Sequence, residues 1–233
     1  MYNFLVGHPE VRRPLTKEVH YFDVHFARGE SWYRSNFPLR VRDGERWITG
    51  EATPAYLFHP KAPGRVAACL PDARFVVLLR NPVDRAYSHY QHERDKGAET
   101  LSFEEALEAE PARLEGELER QASEEDYFSY NLRHFAYRPR GLYVEQLERW
   151  LAFFPIERFL ILQSEKLFSD PQPVLRKVLE FLELASLGSE RFAVLNERSY
   201  RPMDRSVRAR LTEEYRAPNE RLFQLLGTSF DWE

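Results

Sequence analysis

The seventeen residues from Arg74 to Tyr90, reading RFVVLLRNPVDRAYSHY, constrain the fold more tightly than any other part of the chain. Phe75-Val76-Val77-Leu78-Leu79 is an unbroken apolar run, the pattern of a strand buried on both faces of a parallel sheet. The chain then turns polar. Asn81 suits a helix N-cap, Pro82 is preorganised for the first helical position, and Asp84 falls where a carboxylate favours the positive end of a helix. A buried strand therefore runs into a helix through Arg80. Seven residues make nearly two helical turns, so Ser88 returns to the azimuth of Asn81 and looks toward the same mouth as Arg80. A guanidinium, a hydroxyl and a helix N-terminus converging on one spot form an anion site, with phosphate as the expected anion.

At 233 residues the chain can bury a full core, and a single domain over 1–233 is expected. Lys and Arg number 33 against 37 Asp and Glu, a net charge of -4, so no global basic field draws the protein to nucleic acid or a membrane. The single cysteine, Cys69, excludes an intramolecular disulfide and a cysteine-based zinc site. Its neighbours Val66, Ala67, Ala68 and Leu70 mark it as a buried structural thiol. No apolar run approaches the roughly 18 residues of a membrane span, and no signal-type N-terminus is present, which together predict a cytoplasmic location.

Strand formers at 17–23, 47–50, 74–79 and 159–162 alternate with helical patterns at 30–37, 63–70, 82–96, 103–121, 133–137, 143–154, 173–184, 207–215 and 219–226. Without Asn-Gly or Asp-Gly hairpin signals between strands, this alternation predicts an α/β fold: a parallel sheet of at least four strands with helices on both faces. In a strand over 17–23, Glu18 and His20 would share one face while Val19 and Tyr21 pack the other way. Ser102-Phe103-Glu104-Glu105 is a capping box, and the ten carboxylates from Glu104 to Asp126 read as a solvated helix face. Residues 1–9 look like the last turns of a helix, closed by Gly7 and stopped by Pro9.

Several segments in fixed order resemble one family. Lys17-Glu18-Val19-His20-Tyr21-Phe22-Asp23, the stretch from Leu79 to Tyr90, Gly141-Leu142-Tyr143, Glu165-Lys166-Leu167 and Phe230-Asp231-Trp232 are similar to sulfotransferases dependent on 3′-phosphoadenosine 5′-phosphosulfate (PAPS), specifically the heparan sulfate N- and 3-O-sulfotransferase branch with its bacterial relatives. The resemblance implies transfer of a sulfuryl group from PAPS to a hydroxyl or amine of a carbohydrate-like or other small acceptor, leaving adenosine 3′,5′-bisphosphate. It places Arg80 and Ser88 on the cofactor's 3′-phosphate, Glu18 as the base with His20 beside it, and Asp23 along the acceptor site. A base is what the reaction needs, since the attacking hydroxyl must shed its proton as the bond to sulfur forms. Arg198 matches the cationic contact of a loop that covers the cofactor, with Arg201 second, in a basic stretch continued by Arg205, Arg208 and Arg210. No metal is implied.

Two departures stand out. The family's N-terminal strand and glycine-rich loop, with a Lys-x-Gly-Thr-type grip on the 5′-phosphosulfate, has no counterpart in the sequence, so an N-terminally shortened domain with impaired turnover is expected. Ala52 stands where the heparan sulfate enzymes carry a lysine. The alternative to an enzyme is a non-catalytic homologue that keeps only the adenosine 3′,5′-bisphosphate pocket. A nucleotide kinase is disfavoured by the lack of a P-loop and of metal-binding signatures.

Overall fold

The computed structural model describes residues 1–39, 46–186 and 202–232. A helical turn α1 (Tyr2–Leu5) and strand β1 (Val11–Arg12) lead through an irregular stretch to α2 (Glu30–Arg34), β2 (Ile48–Thr49), α3 (Ala55–Phe58) and α4 (Ala62–Cys69). Next come β3 (Phe75–Leu79), α5 (Pro82–Asp95), α6 (Phe103–Leu114), α7 (Glu117–Ser123), α8 (Tyr130–Phe135) and α9 (Tyr143–Leu151). The chain closes with β4 (Phe159–Gln163), α10 (Ser164–Ser169), α11 (Pro171–Phe181) and α12 (Arg205–Leu226).

The architecture is α/β with parallel strands. Among the described residues the strands form two separate parallel pairs, β1 with β2 and β3 with β4, rather than one continuous sheet. β3 and β4 run in register from Phe75 opposite Phe159 to Leu79 opposite Gln163, so Arg80 and Ser164 leave the sheet side by side. Alternation splits their side chains between two faces. Val76, Leu78, Leu160 and Leu162 pack under α1, α10 and α11, around buried Leu167, Leu175 and Val178. Phe75, Val77, Phe159 and Ile161 face α4 and α9 through Ala62, Val66 and Trp150, and Leu79 meets Tyr143, Leu147 and Leu222 of α9 and α12. Each buried aliphatic or aromatic side chain in such a core contributes about 1.5–3 kcal/mol. Helices thus cover both faces. Full burial of the apolar run is reached only at Leu79; Phe75 to Leu78 stay half-buried, with β3 paired along one edge among the described residues.

The strand expected over 17–23 is absent. Its place is taken by an extended segment and a turn, because His20 has φ 54° and the local amides bond to side chains instead of a neighbouring strand. The inside-outside division holds nonetheless: Val19 and Tyr21 are buried while Glu18 is exposed. Residues 207–226 form one helix through Pro218 rather than two. The capping box at Ser102 and Glu105 forms, and Gly97, at φ 75°, closes α5. Not all of the acidic segment is solvated: Glu110 is buried and takes the Arg138 guanidinium and backbone N–H at 2.5 and 2.8 Å. Cys69 is half-buried rather than enclosed, and burial pushes its thiol pKa up. No helix among the described residues is long and apolar enough to cross a membrane.

Candidate active site

Arg80 follows β3 at the carboxyl end of the sheet, where ligands of open α/β folds bind. Three of the motifs noted in the sequence meet there. The Tyr143 hydroxyl donates to the Arg80 carbonyl at 2.9 Å, and the Asn81 N–H donates to Glu165 Oε1 at 2.7 Å. Trp232 packs on Tyr143 with ring centroids 5.8 Å apart and directs its indole N–H to Glu165 at 3.5 Å, while Lys166 pairs with Asp231 at 3.1 Å. These contacts fix the main chain of Arg80. Its half-buried guanidinium is left without a hydrogen-bond or ion-pair partner among the described residues.

The helix N-terminus itself does not serve as expected. The Asn81 side chain caps α5 by accepting from Val83 N and Asp84 N at 2.9 and 3.4 Å, Pro82 has no N–H, and the Asn81 amide is taken by Glu165. The amides are therefore spent within the protein, and side chains must hold any anion. Ser88 lies about 10 Å along α5 from Asn81 at a rise of ~1.5 Å per residue, so the Arg80 side chain has to lie back along the helix for both to reach one phosphate. Arg208, part of the basic stretch, is bound to Asp84 of α5, and Arg210 approaches Glu214 at 3.9 Å. Arg198 and Arg201 lie outside the described residues.

The second group of predicted residues assembles within one turn. His20 Nδ1 lies 2.8 Å from Asp23 Oδ2, and His20 Nε2 lies 3.5 Å from Glu18 Oε2, giving a carboxylate–imidazole–carboxylate line. The hydrogen bond to Asp23 raises the His20 pKa against its partial burial. Burial works to raise Asp23, but the His20 hydrogen bond and charge and the Val24 N–H outweigh it and hold the carboxyl below its usual range. At the position of the family's lysine, the Ala52 N–H bonds to the Lys17 carbonyl at 3.0 Å, and the cation near Glu18 is Lys17, 3.5 Å away.

Beside this turn opens a shallow cleft with an enclosed volume of about 30 Å³, lined among others by Asp23, His59, Gln121, Phe128, Ser129, Arg133 and Arg140. His59 is buried, which with the Arg65 charge lowers its pKa to about 4. Burial and the neighbouring Arg85 and Arg133 charges lower Arg140 to about 9, still protonated near neutral pH. Behind it on α5, Arg85 Nε and His89 Nδ1 are buried without partners among the described residues. The same helix thus carries Ser88, Arg85 and His89. Arg140 is placed by a 3₁₀ turn, Pro139–Gly141, that needs its glycine: a Cβ at Gly141 would stand 2.6 Å from the hydroxyl of buried Tyr215.

Sequence reasoning missed His59, Arg133, Arg140 and the segment 51–56. Each comes from a different element and carries no spacing rule. The only local signal was chemical, a glutamate, a threonine and a tyrosine within one loop.

Residues 58–232 match the family model described as a sulfotransferase domain. Among curated proteins, human heparan sulfate glucosamine 3-O-sulfotransferase 6 is 35% identical over 98% of this chain and 68% of its own length. Human heparan sulfate glucosamine 3-O-sulfotransferase 3B1 is 32% identical over 99% of this chain, which spans 60% of that relative. Among solved structures, a sulfotransferase from Alicyclobacillus acidocaldarius superposes with a TM-score of 0.76 at 30% identity, covering 97% of this chain and 90% of that one.

Proposed function

Because the chain belongs to the sulfotransferase domain family, we propose that it moves a sulfuryl group from PAPS to a hydroxyl, or an amine, of a carbohydrate-like acceptor. The observation that carries this reading is Arg80, its main chain fixed at the carboxyl end of β3 and its guanidinium unpartnered among the described residues. It fits a phosphate: a planar fork of donors on a preorganised main chain suits bidentate contact with phosphate oxygens. Arg80 and the Ser88 hydroxyl would hold the 3′-phosphate, and Arg198 would add a cation. The donor supplies an activated sulfuryl group.

On the acceptor side, Glu18 takes the proton of the attacking hydroxyl as its oxygen bonds to sulfur. His20, held by Asp23 at 2.8 Å, steadies the Glu18 carboxylate from 3.5 Å. Asp23 forms part of the cleft wall with Arg133, Arg140 and the exposed ring of Phe128, a surface suited to a polar, anion-bearing sugar. The relatives named as heparan sulfate glucosamine 3-O-sulfotransferases support that acceptor class.

Calorimetric titration with adenosine 3′,5′-bisphosphate tests the donor site. Arg80→Ala is expected to weaken binding by about 10², the loss of a charge-assisted contact worth ~3 kcal/mol. No binding by the wild type, or equal binding by the variant, sinks the assignment. Binding without sulfuryl transfer to a heparan sulfate oligosaccharide would favour the non-catalytic homologue.

A further inference from the structure

The turn bearing Glu18, His20 and Asp23 has little regular structure, yet His20 holds φ 54°, a left-handed conformation costly for a residue with a Cβ. Such a conformation lasts only where its surroundings over-determine it. Here the turn's four successive N–H groups are received by one segment. Glu51 Oε2 accepts the Val19 N–H at 3.1 Å, Thr53 Oγ1 accepts the His20 N–H at 3.4 Å, and the Tyr56 hydroxyl accepts the N–H groups of Tyr21 and Phe22 at 2.7 and 3.4 Å. Consecutive amides from Val19 to Phe22 are thus all received by side chains of 51–56.

The acceptors depend on one another. A hydroxyl has one proton, and both Thr53 and Tyr56 give theirs to Glu51, at 2.6 and 3.2 Å. Their lone pairs are thereby left for the turn. Burial raises the Glu51 pKa, but the bonds from Thr53, the Val19 N–H, Tyr33 and Tyr56 all favour the charged carboxylate that this arrangement requires.

We propose that Glu51, Thr53 and Tyr56 are positioning residues for sulfuryl transfer: their clasp fixes the left-handed turn that sets Glu18, His20 and Asp23 in line. This rests on the reading of Glu18 and His20 as the acceptor-side residues. Among the described residues no hydrogen bond joins Glu51, Thr53 or Tyr56 to Arg80 or Asn81, so the two halves can be perturbed separately.

The shape-conserving variants Thr53→Val and Tyr56→Phe test it, with Thr53→Ser as the conservative rescue. The first readout is the titration of the His20 imidazole by NMR, assigned with His20→Gln. In the wild type it is raised by Asp23, with Glu18 adding to and Arg133 opposing the shift; opening the clasp moves it back toward the ordinary ~6.5. The second is kcat for transfer from PAPS to a heparan sulfate oligosaccharide, expected to fall about 10²-fold, as misplacement near 1 Å can cause. Affinity for adenosine 3′,5′-bisphosphate stays at the wild-type value and certifies the fold, and Thr53→Ser restores both readouts. An unmoved His20 titration with unchanged kcat overturns the proposal, as does a joint loss of kcat and nucleotide affinity, which marks a merely structural role. If the wild type shows no transfer, or Glu18→Ala leaves transfer unchanged, the acceptor-side reading falls and takes the proposal with it, even while the His20 shift persists.

Discussion

The turn at 80–88, proposed to hold the donor, and the turn at 17–23, proposed to serve the acceptor, are built in opposite ways. The first is held by its own sequence: β3 ends at Leu79, Asn81 caps α5 with its own side chain, and Pro82 starts the helix. The second borrows its shape from residues more than 30 positions away, with His20 in a left-handed conformation. As a proposed donor site, a fixed main chain and one half-buried guanidinium suit tight, invariant recognition of phosphate. A base and its imidazole on a clasped turn suit placement against an acceptor whose pose is set by a cleft.

That contrast predicts separable failures. Glu18→Gln keeps the shape of the side chain and removes the base, so kcat should fall by about 10²–10⁴. Affinity for adenosine 3′,5′-bisphosphate should not change. Single-turnover kinetics beside calorimetric titration reads both, and a variant that loses nucleotide affinity would show that the two turns form one site rather than two halves.

The same contrast explains what could be read in advance. The Asn81 cap and the passage from β3 into α5 through Arg80 were legible because capping and strand ends act over a few residues. The strand–helix order from 47 onward was legible for the same reason, apart from the short α3 and α10, the break of the 103–121 helix into α6 and α7 at Gly116, and the merging of two expected helices across Pro218. Glu18, His20 and Asp23 came from resemblance, and the strand predicted for them was wrong because alternation of apolar residues cannot reveal that side-chain acceptors replace a strand partner. The availability of the α5 amides was also misjudged. Nothing local to Asn81 shows that Glu165, 84 positions on, takes its N–H.

The histidines in and beside the 17–23 turn should divide by pH. His59, lowered to about 4 by burial and the Arg65 charge, stays neutral in the folded state while the unfolded chain takes up a proton near ~6.5. Its contribution is present above ~6.5 and is lost as pH falls toward 4, on the order of 3 kcal/mol in all. His20 works the other way: its raised pKa gives a contribution complete below ~6.5 and lost as pH rises through the folded value. His59→Asn, which keeps an acceptor for the Lys61 N–H that His59 Nδ1 now receives at 3.2 Å, should flatten the acid limb of stability measured by urea unfolding. His20→Gln should leave that limb intact and flatten the neutral-to-alkaline one. Identical pH profiles in the two variants would erase the distinction between them.

The smallest effect tests whether the 80–88 turn is locally built. Asn81→Ala removes the side chain that receives Val83 N and Asp84 N, and an N-cap lost to alanine costs about 1 kcal/mol. Asn81→Ser, another strong cap, should recover most of it. Because the Glu165 contact is made by the backbone N–H at 2.7 Å, it survives either substitution and keeps the main chain of Arg80 in place. The expected result is a modest drop in urea midpoint for alanine, its recovery for serine, and bisphosphate affinity within about threefold of wild type in both, roughly what ~0.6 kcal/mol would produce. A large affinity loss in Asn81→Ala that serine rescues would mean that the capped helix end, and not the Arg80 side chain alone, sets the anion's position, and the donor turn would then depend on its amide geometry as closely as the acceptor turn depends on its clasp.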